Sequence, residues 1–312
     1  MLRSKLGLLI AGSQLFLAVS ASAEEIEAPS ARCLEALNDA DRWHQLPLSC
    51  GFDRKSMRYA GRPVEQARCL LRQVPPGGDP VNEAAALPRA LERLIGKRVP
   101  VNRRQIEAYL RSKAIMADDI GGSLEAPLSR TSAGLPALYF VIHDTSTPAY
   151  GPEPFGPEID EPGSAVNALE RWRQGEASVA HIFYSRVGTS VAARDYSIPW
   201  RATKTERCVL GAESRGRFLH NEVVQPRRTS GLHGYENDQP PELAFTPSQL
   251  DRLALAYVAA SVRDGRWLIP AFHAAIDEGL PAAHDDPQGF DLALWTRSIE
   301  RVLAAIAAFP RR

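Results

Sequence analysis

The stretch that decides the fold is Ala137-Leu138-Tyr139-Phe140-Val141-Ile142-His143-Asp144-Thr145-Ser146. Six apolar residues rich in β-formers run without a polar break, as a strand buried on both faces requires, and then give way at once to four polar ones. A strand covered on both faces calls for helices packed against it, and the surrounding chain offers alternating elements. Val179 to Tyr184 is a second strand candidate, after a helix expected around Val166 to Trp172. Phe218 to Val224 is a third, interrupted by His220, Asn221 and Glu222. Polar groups inside a strand must be paired or functional, because burying one alone costs a few kcal/mol.

Thr246-Pro247-Ser248-Gln249 carries the marks of a helix start: Thr246 as N-cap, Pro247 at the first helical position, Gln249 reaching back. Leu250, Leu253, Tyr257 and Val258 then share one face, and Gly265 stops the helix. A last helix is expected over Leu292 to Ala308. Strands alternating with helices over residues 126–312 predict an α/β domain with a central mixed sheet flanked by helices.

Upstream, residues 24–125 read as a mainly helical module. Pro75-Pro76-Gly77-Gly78 breaks the chain; Leu87, Leu91, Leu94 and Ile95 come next at helical spacing; Asn102 and Gln105 form a capping pair ahead of Ile106, Leu110 and Ile115. Nothing in this module has a catalytic look. It is expected to pack against the α/β domain, and to position a substrate, cover the site or stabilise the fold.

The first residues read as a targeting segment. Arg3 and Lys5 precede a mainly apolar run from Leu6 to Val19, and Ala21-Ser22-Ala23 is a cleavage site of the A-x-A kind. The run is short for a membrane span, so export with cleavage after Ala23 is expected, with no stable membrane anchor afterwards and a periplasmic location. The full chain balances 37 Lys and Arg against 37 Asp and Glu, and cleavage leaves 289 residues with a formal charge of −2. That balance argues against nucleic acid as a partner. Export permits disulfides among Cys33, Cys50, Cys69 and Cys208, in any of three pairings; a paired C-x-x-C zinc spacing is absent.

The chemistry-bearing residues sit where apolar structure ends. His143 closes the central strand, His273 comes after the apolar segment Trp267 to Pro270, and His284-Asp285-Asp286-Pro287 is an acidic turn. Two imidazoles and a carboxylate make a three-ligand zinc set with a fourth position open for water, as a hydrolase needs.

Five segments in order carry a family resemblance: Tyr139 to Ser146; Ser178-Val179-Ala180-His181-Ile182-Phe183-Tyr184 with Gly188; Leu219-His220-Asn221-Glu222-Val223-Val224; Phe245 to Leu250; and Ile269 to His273 with Asp286-Pro287 and Gly289-Phe290-Asp291. Together they resemble the AmpD-type zinc N-acetylmuramoyl-L-alanine amidases, relatives of the peptidoglycan recognition proteins. The resemblance implies that fold for residues 126–312, with His143, His273 and Asp286 holding Zn²⁺ and Glu222 as acid/base. The substrate it implies is peptidoglycan or a muropeptide, cut at the amide between N-acetylmuramic acid and L-alanine. Alternatives are a non-catalytic recognition protein on the same fold and a zinc peptidase acting within the stem peptide.

Departures from the family are visible. His284 stands where the family usually has Lys or Thr beside the developing oxyanion; it can donate there as a second catalytic residue, serve as a third histidine ligand or lie in solvent. The family's "WHAG" histidine is missing near Trp200, where Lys204 and Glu206 stand instead and point to a different substrate groove. Asp285 competes with Asp286 as ligand, the Asp-Pro pair favouring Asp286. Glu222 can alternatively pair with Arg227 or Arg228, which with Arg215 and Arg217 are also candidates for stem-peptide carboxylates. His181 reads as a core or supporting histidine, Asp144 and Thr145 as residues that orient His143, and Trp200 and Tyr235 as groove or packing aromatics.

Overall fold

A computed structural model describes residues 48–76, 78–173, 180–228, 239–281 and 283–311. The expected targeting segment, Cys33, Ser178, Val179 and Tyr235 lie outside these residues. Three helices come first: α1 (Pro63–Leu70), α2 (Arg89–Leu94) and α3 (Arg103–Lys113). At α3 the Asn102 side chain accepts from Gln105 N at 3.0 Å while Asn102 N donates to Gln105 Oε1 at 3.1 Å, the reciprocal cap that the sequence predicts.

Strand β1 (Tyr139–Asp144) is next, every residue of it buried. After it come β2 (Ala149–Tyr150), the short helix α4 (Glu170–Arg173), β3 (Ile182–Tyr184), β4 (Ser190–Ala192), β5 (Phe218–Val223) and β6 (Arg227–Arg228). Helix α5 (Pro247–Asp264) leads to β7 (Ile269–Phe272), the one-turn helix α6 (His273–Asp277) and α7 (Leu292–Ala307). Where one helix is expected around Val166 to Trp172, the chain makes a 3₁₀ turn over Ala165–Asn167, then an extended Ala168, then α4.

Five strands form one mixed sheet in the order β4-β3-β5-β1-β7, and β2 pairs with β6 apart from it. β5 and β7 flank β1 and both run parallel to it, which explains its unbroken apolar sequence. β3 joins β5 in parallel, and β4 turns back on β3 as an antiparallel edge. Gly188 makes that return at φ +80°; a Cβ there would sit 2.8 Å from Ser248 O. The α5 cap matches its sequence signature, Thr246 Oγ1 accepting from Gln249 N at 3.2 Å, and Gly265 ends the helix at φ +84°. Gln249 also reaches the sheet, its Nε2 donating to Val224 O at 2.8 Å.

One apolar cluster unites the N-terminal helices with the sheet: Leu70, Leu91 and Ile106 belong with Phe140, Phe218, Tyr257, Trp267 and Trp295. Cys50 and Cys69 form a disulfide, and Cys208 is disulfide-bonded as well. No helix among the described residues is long and apolar enough to cross a membrane.

Candidate metal centre

Register on the sheet assembles the site. His143 lies beside Glu222 in the β1–β5 ladder, and Ile142 pairs with Phe272, so that His273 emerges from β7 next to His143. These are the carboxyl ends of three adjacent parallel strands, where open α/β sheets place ligands. The turn after α6 supplies Asp286. His143, His273 and Asp286 are all buried, and one ligand atom from each lies within 4.8 Å of the others.

Hydrogen-bond geometry says which atoms face inward. His143 Nε2 is engaged with His220 Nδ1 at 3.1 Å, and His273 Nε2 with Asp277 Oδ2 at 2.8 Å. Both Nδ1 atoms are left facing each other at 2.9 Å, with Asp286 Oδ1 2.9 Å from His273 Nδ1 and its Oδ2 3.7 Å from His143 Nδ1. With Nε2 of each ring carrying the proton, two imidazole lone pairs and a carboxylate converge on one point. Lone pairs at that distance repel unless a proton or cation lies between them. Asp286 Oδ1 and Glu222 Oε2 are buried without a hydrogen-bond partner, the Oδ1 contact with His273 lacking hydrogen-bond geometry. Such orphaned acceptors fit a missing cation. The donor set therefore can hold a metal ion, with His143, His273 and Asp286 as ligands.

The electrostatics agree. Burial, then the neighbouring His273, hold the His143 pKa well below the ordinary histidine value. Burial also opposes charge on His273, but Asp286 and Asp277 outweigh it and hold its pKa well above that value. Glu222, with Oε1 3.9 Å from His143 Nδ1, is pushed well above the usual carboxylate range by burial and then by Asp286. His284 stands at the rim: its ring stacks on His273 with centroids 4.6 Å apart, Nδ1 lies 3.7 Å from Asp286 Oδ1, and its side chain is 56% exposed.

The loop carrying Asp286 is fastened through Asp144. Asp144 N donates to Asp286 Oδ2 at 3.1 Å, while Asp144 Oδ2 accepts from Gln288 N at 3.0 Å and from Arg227 Nη2 at 2.6 Å. Asp144 thus orients the aspartate ligand rather than His143. Arg227 belongs to this buried pair and not to Glu222. Arg217 is also buried, donating to Met57 O at 2.9 Å and to Pro136 O. Asp285 accepts from Gln288 Nε2, and Asp286 is the carboxylate that lies with His143 and His273 in the group that could hold a metal ion.

His181 is a supporting residue, Nδ1 accepting from His220 N at 3.0 Å and Nε2 meeting Ile198 O at 3.1 Å. Trp200 lies beneath the Arg194 guanidinium. Lys204 N donates to Asp277 Oδ2 at 2.9 Å, and fully buried Glu206 stands behind His220. The sequence reading missed His220, Asp277 and Glu206 as parts of the site. Two of them carried a signal: His220 shares a strand face with Glu222, and Asp277 lies one helical turn beyond His273. Compared with protein-family models, with curated protein sequences and with solved structures, the chain has no match.

Proposed function

We propose that the chain is an exported zinc hydrolase that cleaves the amide between N-acetylmuramic acid and L-alanine in peptidoglycan or muropeptides, on an amidase-like fold. The observation that carries this reading is the convergence of two imidazole Nδ1 atoms and an orphaned Asp286 oxygen beside the unpartnered Oε2 of Glu222. Zinc held by His143, His273 and Asp286 would polarise the scissile carbonyl and lower the pKa of water toward neutrality. Glu222, buried at the same strand ends, takes the proton from the attacking water and delivers it to the leaving amine of L-alanine. His284, at the rim, donates a hydrogen bond to the oxygen on which charge develops. A set of three ligand residues, which would leave a position for water, and the glutamate together favour a hydrolase over a recognition protein.

Mass spectrometry of muropeptides treated with the zinc-loaded chain lacking residues 1–23 tests the proposal. The expected products are intact stem peptides with a free L-alanine amine, and sugars that keep the lactyl carboxylate. Fragments cut inside the stem peptide would replace it with the peptidase reading. Unaltered muropeptides that nonetheless bind would replace it with the recognition reading.

A further inference from the structure

All five described histidines lie in one contiguous row. Ring centroids of His181 and His220 are 5.7 Å apart, those of His220 and His143 5.3 Å, those of His143 and His273 4.3 Å, and those of His273 and His284 4.6 Å. The two inner ligands are backed differently. His273 has a carboxylate directly on Nε2, that of Asp277. His143 has a second imidazole there, and a carboxylate only beyond it: His220 Nε2 lies 3.1 Å from Glu206 Oε2, both side chains being fully buried.

We propose that Glu206 is a positioning residue for the metal centre, acting on His143 through His220. The donors then run one way. His143 presents Nδ1 to the cation, so its Nε2 carries the hydrogen and donates to His220 Nδ1; His220 in turn carries its hydrogen on Nε2, toward Glu206. His181 reinforces this chain by accepting from His220 N, which fixes the backbone that carries the intervening ring. The same Glu206 Oε2 accepts from Ala202 N, Thr203 N and Thr203 Oγ1, each at 3.1 Å, which holds the carboxylate in place. It sits in the six-residue π-helical turn Thr205–Leu210; Thr205 N, at the start of that turn, and Lys204 N, just before it, also fasten Asp277. One turn of chain therefore supports both ligand histidines, His273 through Asp277 and His143 through His220. A carboxylate behind a ligand imidazole fixes its tautomer and raises its basicity, and removing such a partner typically costs 10–100-fold in metal affinity. The interposed imidazole passes that constraint on across the His143–His220 hydrogen bond and the 3.1 Å charge contact of His220 Nε2 with Glu206 Oε2, which lies outside hydrogen-bond geometry.

The inference rests on the metal reading of His143, His273 and Asp286, and its test separates the two. Zn²⁺ affinity is measured by chelator competition for the wild-type chain, Glu206→Gln, His220→Phe and the double variant, with circular dichroism to verify folding. Glu206→Gln is expected to lose 10–100-fold in affinity in the wild-type background and less than about 2-fold in the His220→Phe background, because the route to His143 is then already cut. A merely structural Glu206 would give the same loss in both backgrounds and overturn the inference, as would no loss in either. Where Glu206→Gln fails to fold, Glu206→Asp and His220→Gln replace it, and unaltered affinity in both is equally fatal. A wild-type chain that binds no Zn²⁺ refutes the metal reading itself.

Discussion

Replacing Glu222 by glutamine separates chemistry from architecture at this site, because the two are expected to move in opposite directions. The side chain keeps its shape but can no longer accept a proton, so turnover should fall by about 10²–10⁴, equivalent to about 2.7–5.5 kcal/mol in the barrier. Metal affinity should hold within about 3-fold, since Glu222 Oε1 lies 3.9 Å from His143 Nδ1 and takes no part in orienting either ligand imidazole. Stability of the metal-free protein should rise. Glu222 Oε2 is buried with no partner, and exchanging a buried lone carboxylate for a neutral amide relieves a desolvation cost of at least about 1 kcal/mol, or about 2–4 °C in Tm. The assay is threefold: release of stem peptide from muropeptides, chelator competition, and thermal unfolding after dialysis against chelator. Turnover within 10-fold of wild type would refute the acid/base role. A fall in metal-free stability would show that the carboxylate is paired in solution and that its unpartnered oxygen is not a reserve for catalysis.

Other perturbations address other parts. His284→Ala is expected to reduce kcat by about 10²–10³ while Zn²⁺ affinity stays unaltered; a 10-fold drop in affinity would make His284 a ligand, and unaltered turnover would leave it a rim residue. Replacing Cys50 and Cys69 together by serine opens a loop with a sequence separation of 19 and should cost about 3 kcal/mol of unfolding free energy in urea; a loss under about 1 kcal/mol would refute the constraint. Burial pushes the Tyr139 phenol up to about 12 and Tyr184 well above its ordinary value. A raised folded-state pKa means stability is present in full below the free phenol value of about 10 and is lost as pH climbs toward 12, about 2.7 kcal/mol from Tyr139 alone. Phenolate absorbance from the buried tyrosines should therefore appear together with alkaline unfolding, and a full phenolate signal near pH 10 in the folded state would contradict it.

Legibility in the sequence divides along a physical line. β1 announces itself because a strand buried on both faces must be apolar throughout, and α5 because its cap and its stop are both chemical signatures within a few residues of the chain. His143, His273 and Asp286 stand out at the ends of such elements, and their common resemblance suggested that they meet. The partners behind them were hidden for a different reason. Arg227 and Asp144 are 83 residues apart, and fully buried Glu206 reaches His220 across the turn and strand between. No local pattern distinguishes an arginine that will be buried against a carboxylate from one that meets solvent; only the tertiary fold does, by laying β5 beside β1 and carrying the chain on into β6, where Arg227 meets Asp144 at the end of β1. The helix expected around Val166 to Trp172 failed because apolar spacing persists through Ala168 although its backbone is extended.

The N-terminal segment takes its meaning from where its polar bonds land. α6, which begins at His273 and ends at Asp277, is five residues long and too short to hold a helical turn by itself. Ser49 Oγ donates to Ala275 O inside it, and Arg72 Nη1 reaches Glu278 Oε1 at 2.8 Å just beyond it. The Tyr139 hydroxyl, at the start of the strand that carries His143, accepts from Tyr59 N and donates to Gln66 Oε1, both at 2.9 Å. The Cys50–Cys69 disulfide ties the Ser49 and Arg72 ends of this support together. Two imidazole nitrogens held 2.9 Å apart need both backbones fixed, one from β1 and one from α6. Residues 48–76 fasten both, so the segment without a catalytic look is part of what sets the spacing of the ligands.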